Sequence, residues 1–325
     1  MKKINILITH VSYQAAAGSF IKMLRNSEKY NYYIVGTDSL EKGFSSGSML
    51  VDKFYHLDLS TDDLRYIKFI RKICNKEKIN VIISAEEEDL KLFKNYNISE
   101  ALYQYIPELS IFSLFRDKHL ANLSLKSKNI LIPKYIMDFE DFNKSKSKKF
   151  ILRERVSCCS RGIKIFTKNE INNNYIFFND EHITQEFIDG NLYTVDVLCD
   201  KNGKVSLIIP RRVISVKDGT VFKCIIEDND VLVKICKKIY SNYNIPGISN
   251  VQFIIKNEHA YFIELNPRAA ATLIASSMAS TNFIDLYISH FLYNEMLPEY
   301  DILMKKVRWN SVISRYYQET IMYRE

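Results

Sequence analysis

The sequence predicts a two-part molecule: an N-terminal α/β lobe on a parallel, doubly wound sheet, then a larger α+β half whose sheets are antiparallel. Three observations carry this expectation. Over the first hundred residues, apolar runs of strand length alternate with segments of helical period, the signature of a parallel sheet with crossover helices. From Phe150 onward, short strand runs follow one another, separated by Gly, Asn and Asp turn residues. With 325 residues, 47% apolar and 26% charged, the chain can hold two or three packed subdomains and has an ordinary globular composition.

The elements follow in order. Residues 4–8 form a compact apolar run, too short for a signal peptide and ended by Thr9 and His10, so they read as a first strand. A helix over 15–25 repeats Phe20, Ile21 and Leu24 on one face. Residues 32–35 are strand-like, and 64–74 place apolar residues at 64, 67, 70 and 74, a helical stripe. A third strand, 81–84, runs into the acidic stretch Glu86-Glu87-Glu88-Asp89. Ligands of such sheets lie beyond the strand C-termini, which points to residues 10–12 and 85–88. No glycine-rich dinucleotide motif is present, which excludes a nicotinamide-cofactor lobe. A helix over 114–127 is opened by Asp117, and Pro133 closes the segment after it. Strands are expected at 150–153, 162–166, 183–188, 192–199, 205–213, 250–255 and 261–266, with helices at 228–240 and 283–292. The resulting boundaries are 1–112, 113–183 and 184–325.

Several functions are excluded. The formal charge of +7 is scattered or concentrated in the loop 143–149, without the interleaved aromatic residues of a nucleic-acid surface. A polyanionic small substrate explains a basic cleft equally well. No run approaches the roughly 18 apolar residues of a membrane span. The cysteines at 74, 158, 159, 199, 224 and 236 form no C-x-x-C pair and lie near no paired histidine, which argues against zinc. With no export signal, reduced thiols and a cytoplasmic location are expected. Neither a Ser-His-Asp nor a Cys-His set is visible, so nucleophilic catalysis by the chain is not expected.

The most informative residues lie in two adjacent strands. In 261–266, Glu264 and Asn266 share one face while Tyr261, Ile263 and Leu265 take the other. A hairpin with Asn257-Glu258-His259 as its loop pairs Val251 with Leu265, Phe253 with Ile263 and Ile255 with Tyr261. That register sets Gln252 opposite Glu264. One carboxylate flanked by two amide oxygens suits Mg²⁺, which keeps several waters and completes its shell with phosphates. Residue chemistry alone allows an ordinary solvent-facing strand equally well. The following run, Asn266-Pro267-Arg268-Ala269-Ala270-Ala271, favours a ligand, because Pro and small residues let the backbone approach one.

These strands, Asn250-Val251-Gln252-Phe253 and Phe262-Ile263-Glu264-Leu265-Asn266-Pro267-Arg268-Ala269-Ala270, closely resemble the metal-binding strands of ATP-grasp enzymes. The likeness is greatest to the carbamoyl-phosphate-synthetase large subunit and to free-standing amino-acid ligases. The resemblance implies an ATP-grasp fold, with a small lid subdomain and a larger antiparallel subdomain after the first lobe. It implies ATP and Mg²⁺ (or Mn²⁺), with Glu264 and Asn266 holding the metal on the ATP phosphates and Gln252 assisting a second ion. Lys118 and Arg153 then correspond to the phosphate-binding cations. Ser160 and Gly162 belong to the loop that closes over the triphosphate, a loop usually richer in glycine and here carrying Cys158-Cys159. Gln185, Glu186, Phe187 and Ile188 correspond to the hinge that carries the adenine. Where relatives often place an acidic residue for the ribose, this chain has Leu192. Arg268 and one of the adjacent pair Arg211-Arg212 would serve the transferred phosphate and the acceptor. Neighbours on a strand face opposite ways, and Arg212 is favoured.

The activity implied is an ATP-dependent carboxylate–amine ligation through an acyl phosphate, releasing ADP and phosphate. The partners implied are a small carboxylate and an amine, amino acids among them, with neither nucleic acid nor membrane. A homodimer through the first lobe is implied by likeness alone. The alternatives are a carbamoyl-phosphate-like synthetase or small-carboxylate kinase that releases the acyl phosphate, and a non-catalytic nucleotide-binding protein.

Overall fold

In the computed structural model the described residues are 1–323 except 13, 58–61, 99–101, 104–106, 158–161 and 172–176. The first lobe contains β1 (Lys2–Thr9), α1 (Gln14–Arg25), β2 (Tyr30–Asp38), β3 (Lys53–His56), α2 (Asp63–Glu77), β4 (Val81–Ser84), α3 (Glu87–Tyr96) and β5 (Leu102–Tyr103). The strands run parallel in the order β3-β2-β1-β4-β5. Helix α1 buries Ala16, Ala17, Phe20, Ile21 and Leu24 on one face of this sheet. Helix α2 buries Tyr66, Ile67, Ile70, Ile73 and Cys74 with Leu7, Val35 and Ile82 from the other. Two covered faces make β4 apolar along nearly its whole length. The caps follow from the sequence: the Asp62 side chain accepts from Arg65 N–H, and Lys78 closes α2 in a left-handed conformation.

The helix expected over 114–127 is two helices, α4 (Leu109–Arg116) and α5 (Lys118–Lys126). Asp117 is extended and serves both, closing α4 and capping α5 by accepting from His119 N–H at 2.8 Å and Leu120 N–H at 3.2 Å. Then come β6 (Tyr135–Ile136), α6 (Phe139–Lys144), β7 (Lys149–Glu154), β8 (Lys164–Thr167) and β9 (His182–Glu186). They form an antiparallel sheet in the order β6-β9-β7-β8 over a small aromatic core of Ile136, Phe142, Phe150, Phe166 and Phe177. A boundary between residues 183 and 184 falls inside β9. Helices α4 and α5 pack instead on the larger sheet, through Phe115, Ala121 and Leu125. The lid proper is therefore the four-stranded unit between residues 135 and 186.

The remainder comprises β10 (Asn191–Cys199), β11 (Val205–Lys217), β12 (Thr220–Ile226), α7 (Asp230–Asn242), β13 (Gly247–Lys256), β14 (His259–Asn266), α8 (Ile274–Met278), α9 (Phe283–Phe291), α10 (Tyr300–Met304) and β15 (Val312–Ser314). Its antiparallel sheet has the order β14-β13-β10-β11-β12-β15. Strand β12 has no counterpart among the expected strands. It follows a tight turn at Asp218 and Gly219, both at positive φ (50° and 70°), the geometry that joins hairpin strands. One face of the sheet buries Tyr193, Val195, Val197, Val251, Phe253, Phe262 and Leu265 against α5 and α7. The other face contributes Leu198, Leu207, Ile209 and Ile226 to a core shared with α1, α9 and the first-lobe strands. First lobe and large sheet are thus one packed body, while the lid keeps its own core.

Candidate active site

A cleft of about 470 Å³ opens where the lid, the large sheet and the first lobe meet. Its floor is the β13–β14 hairpin. Val251 pairs with Leu265 and Gln252 with Glu264, as the apolar pattern dictates. Beyond that point the register shifts by one residue: Phe253 pairs with Phe262 and Ile254 with Tyr261. The turn is the two-residue Asn257-Glu258, both left-handed at φ 47° and 64°, and not the three-residue loop expected. A bulge at Ile263 absorbs the difference. Phe262 therefore goes into the core at 0% exposure, and Ile263 turns into the cleft beside Glu264. Ile263 is a wall residue that the alternation of the sequence assigns to the wrong face.

Glu264 and Asn266 remain on the cleft face. The Asn266 amide donates to Glu264 Oε1 at 3.1 Å, which keeps the amide nitrogen on the carboxylate and leaves the amide oxygen as an acceptor. Among the described residues, no group of three or more His, Cys, Asp and Glu side chains is arranged to hold a metal. A divalent ion at Glu264 would therefore depend on amide oxygens, water and a ligand's phosphates, the arrangement Mg²⁺ tolerates.

Two buried cations face this floor. Lys118, 7% exposed at the start of α5, donates to Ser157 O and Oγ, both at 3.1 Å. Burial holds its pKa below the ordinary lysine value; the charge of Glu264 works against that shift, and Arg153 adds to it. Arg153 on β7 is 5% exposed and donates from Nη2 to Gln185 Oε1 at 2.8 Å, while its Nε has no partner among the described residues. Burial lowers its pKa too, and Glu264 again opposes. Desolvated cations without a hydrogen-bonded counter-ion are costly. Together with the orphaned Nε they fit a polyanion lying over Glu264.

The hinge residues are arranged otherwise than expected. Gln185 is fully buried, and its amide donates to Pro133 O at 3.2 Å while its oxygen holds Arg153. It acts on the cation and does not line the cleft. The Glu186 N–H donates to Lys134 O at 2.8 Å and its carboxylate accepts from Ser145 Oγ at 2.6 Å. The Phe187 N–H donates to Lys149 O at 3.0 Å. Of these hinge N–H groups only that of Ile188 makes no backbone hydrogen bond among the described residues. Gly162 has φ +68°, and a Cβ there would stand 2.5 Å from Glu154 Oε1, so the lid turn requires glycine. Ser160, with Cys158, Cys159 and Arg161, lies outside the described residues.

The adjacent arginines face opposite ways. Arg212 lies opposite Tyr193, on the face turned to α7, and is bound by Glu227 at 2.5 Å. Arg211 lies opposite Thr194 on the cleft face and is fully buried. Its Nε donates to Asp196 Oδ2 at 2.9 Å and its Nη1 to Thr272 Oγ1 at 3.1 Å, while Nη2 has no partner among the described residues. Asp196 also accepts from Ser276 Oγ at 2.6 Å and from the Asn250 amide at 3.1 Å. This network underlies the cleft at Thr272 and Asn250, next to Gln252 and Asn266.

At the far end Arg268 reaches across to the first lobe, its Nε 3.4 Å from Glu87 Oε2, and its Nη1 donates to Ala269 O at 3.1 Å. Residues 85–88 border the cleft as expected, and residues 10–12 do not. His10, at φ 55°, sits 3.2 Å from Asp89 Oδ2, an oxygen that also accepts from Thr9, Tyr66 and Ser84. Burial alone would lower its pKa, but the hydrogen bond and charge of Asp89 raise it above the usual histidine value.

Comparison with known proteins bears on the fold. Residues 115–272 match the ATP-grasp domain family, and residues 6–103 match the PylC-like N-terminal domain. A 44-residue stretch, 14% of this chain, is 43% identical to the carbamoyl phosphate synthase large chain of Lachnoclostridium phytofermentans; it spans 4% of that protein's length. Among solved structures, biotin carboxylase from Campylobacter jejuni superposes with a TM-score of 0.71 at 14% identity, over 95% of this chain and 74% of that one. L-amino acid ligase from Bacillus licheniformis gives 0.66 at 14% identity, over 96% and 79%. No helix among the described residues is long and apolar enough to cross a membrane.

Proposed function

We propose that this chain, whose residues 115–272 match the ATP-grasp domain family, joins a small carboxylate to an amine through an acyl phosphate, with release of ADP and phosphate. One observation carries the reading. Two desolvated cations, Lys118 and Arg153, face Glu264 and Asn266 across the cleft floor, and a further arginine, Arg268, stands two residues beyond Asn266. Attack of one anion on another needs charge neutralisation and in-line placement more than a covalent nucleophile.

Lys118 and Arg153 bind triphosphate oxygens, Gln185 fixing the Arg153 guanidinium. Magnesium, or manganese in its place, supplies further neutralisation of the phosphates when bound by Glu264, Asn266 and Gln252. Ile263 packs on the nucleotide, and the Ile188 N–H is the hinge donor open to a base. Arg268 orients the reacting carboxylate. Its oxygen attacks the γ-phosphorus, and the bond to the bridging oxygen breaks with its electron pair leaving on ADP. The neutral amine nitrogen then bonds to the acyl carbon, phosphate departs with its oxygen, and the nitrogen's surplus proton passes to solvent. Arg211 supports this end from below through Thr272. Amino acids as substrates and a homodimer through the first lobe belong to the same reading.

The short match to a carbamoyl phosphate synthase chain favours a second reading, in which the acyl phosphate is released. ADP and phosphate measured against panels of carboxylates and amines separate the two. Phosphate release that requires an amine supports the ligase; acyl phosphate formed without amine supports the second reading. Absence of any Mg-ATP binding would defeat both.

A further inference from the structure

Phosphoryl transfer to a carboxylate calls for positive charge, and Lys118, Arg153 and Arg268 supply it along the cleft. One carboxylate stands against that pattern. Glu87, the first residue of α3, is contributed by the first lobe, has a side chain only 15% exposed, and borders the cleft at Arg268. Its charge also reaches Lys118. Its neighbours are committed elsewhere: Glu88 is 65% exposed and paired with Arg116, and Asp89 is surrounded by Thr9, Ser84, Tyr66 and His10.

The Glu87–Arg268 contact is long for a charge-assisted hydrogen bond, 3.4 Å against the usual 2.7–2.9 Å, so it is a poor structural clamp. A negative charge here repels the triphosphate and the carboxylate substrate alike. It becomes favourable once a cation joins the site. Bicarbonate and other anionic acceptors bring none, whereas an amine substrate arrives as an ammonium ion.

We propose that Glu87 is the specificity residue for the second substrate, binding it as a primary alkylammonium when the first substrate's carboxylate takes over Arg268. The inference rests on the ligase reading above. The Glu87–Arg268 pair is then exchanged for two intermolecular pairs, carboxylate on Arg268 and ammonium on Glu87. The exchange brings the nitrogen to the side of the cleft where the acyl carbon is held; the ammonium gives one proton to water, and the free pair of the resulting amine forms the C–N bond as phosphate leaves. It also favours charged amines over neutral nucleophiles.

The test compares the wild-type chain with Glu87→Gln, using the common L-amino acids as carboxylates and Mg-ATP. Hydroxylamine, uncharged near neutral pH, traps the acyl phosphate as a hydroxamate; the same amino acids serve as charged amines. Hydroxamate formation in Glu87→Gln should stay within about threefold of wild type, while the KM for the amine rises on the order of 100-fold, as expected for loss of a desolvated charge pair. Glu88→Gln should change neither. Equal loss of both reactions, or an unchanged KM for the amine, overturns the assignment and leaves the ligase reading standing. If the wild-type chain forms no hydroxamate with any carboxylate, the ligase reading fails and this inference with it.

Discussion

Two hairpins of the same sheet invite comparison. In β13–β14 the apolar residues alternate so regularly that the faces of Gln252, Glu264 and Asn266 are legible from the sequence, and the structure pairs Gln252 with Glu264. In β10–β11 the alternation of Val195 and Val197 against Thr194 and Asp196 is just as regular, yet the arginine facing the cleft is not the one favoured. The difference lies in what fixes the register. The first hairpin is closed by a tight turn and tied down by core residues on both strands. Both hairpins carry a register shift, at Ile263 in the first and at Leu198–Cys199 in the second, but only in the second does a longer connection, residues 200–204, leave the parity of β11 against β10 unmarked by a tight turn.

The sharpest test of the first hairpin is Glu264→Ala. It should reduce Mg-dependent ADP release by about 10²–10³-fold with an unaltered circular-dichroism spectrum, the scale of losing one preorganised group at the transferring phosphate. Retained turnover would break the comparison at its stronger member. For the second hairpin, Arg211→Met should lower the unfolding free energy in urea by about 3–5 kcal/mol, because Asp196 is left buried and uncompensated. Arg212→Met, partly exposed beside Glu227, should cost less than about 1 kcal/mol. Equal losses would mean that face, and not register, is irrelevant here.

Within the first hairpin, Phe262→Ala and Ile263→Ala separate core from cleft. The former should destabilise by about 3–5 kcal/mol. The latter should leave stability within about 1.5 kcal/mol and instead raise the KM for ATP several-fold. The reverse pattern would place the bulge elsewhere. The smallest effect lies outside both hairpins. His10 has a pKa raised in the folded state, so its stabilising contribution is complete below the unfolded value of 6.5 and is lost as pH rises through the folded value. Urea titrations of wild type and His10→Gln should therefore differ most at acidic pH and converge at alkaline pH.

The parallel lobe, the antiparallel half and the pairing of Gln252 with Glu264 are legible because each rests on periodicity. Three things are not. Asp117 breaks one helical run into two by its backbone conformation, though its residue type announces only a cap. The Ile263 bulge depends on turn length, and Asn257-Glu258-His259 is compatible with loops of either size. Gln185 is a hinge residue by resemblance, but its contacts with Arg153 and Pro133 are long-range and leave no mark in local pattern.

The division of cores has a consequence for motion. First lobe and large sheet share one continuous apolar interior, whereas the lid, among the described residues, has a small aromatic cluster of its own around Phe142, Phe150 and Phe177. Amide exchange should therefore proceed in two cooperative units, the lid amides opening at lower free energy than those of β1, β10 and β13. A nucleotide gripped between Arg153 and Glu264 spans both units. It would raise lid protection toward the global value, so that lid exchange reports occupancy of the cleft without any measurement of turnover.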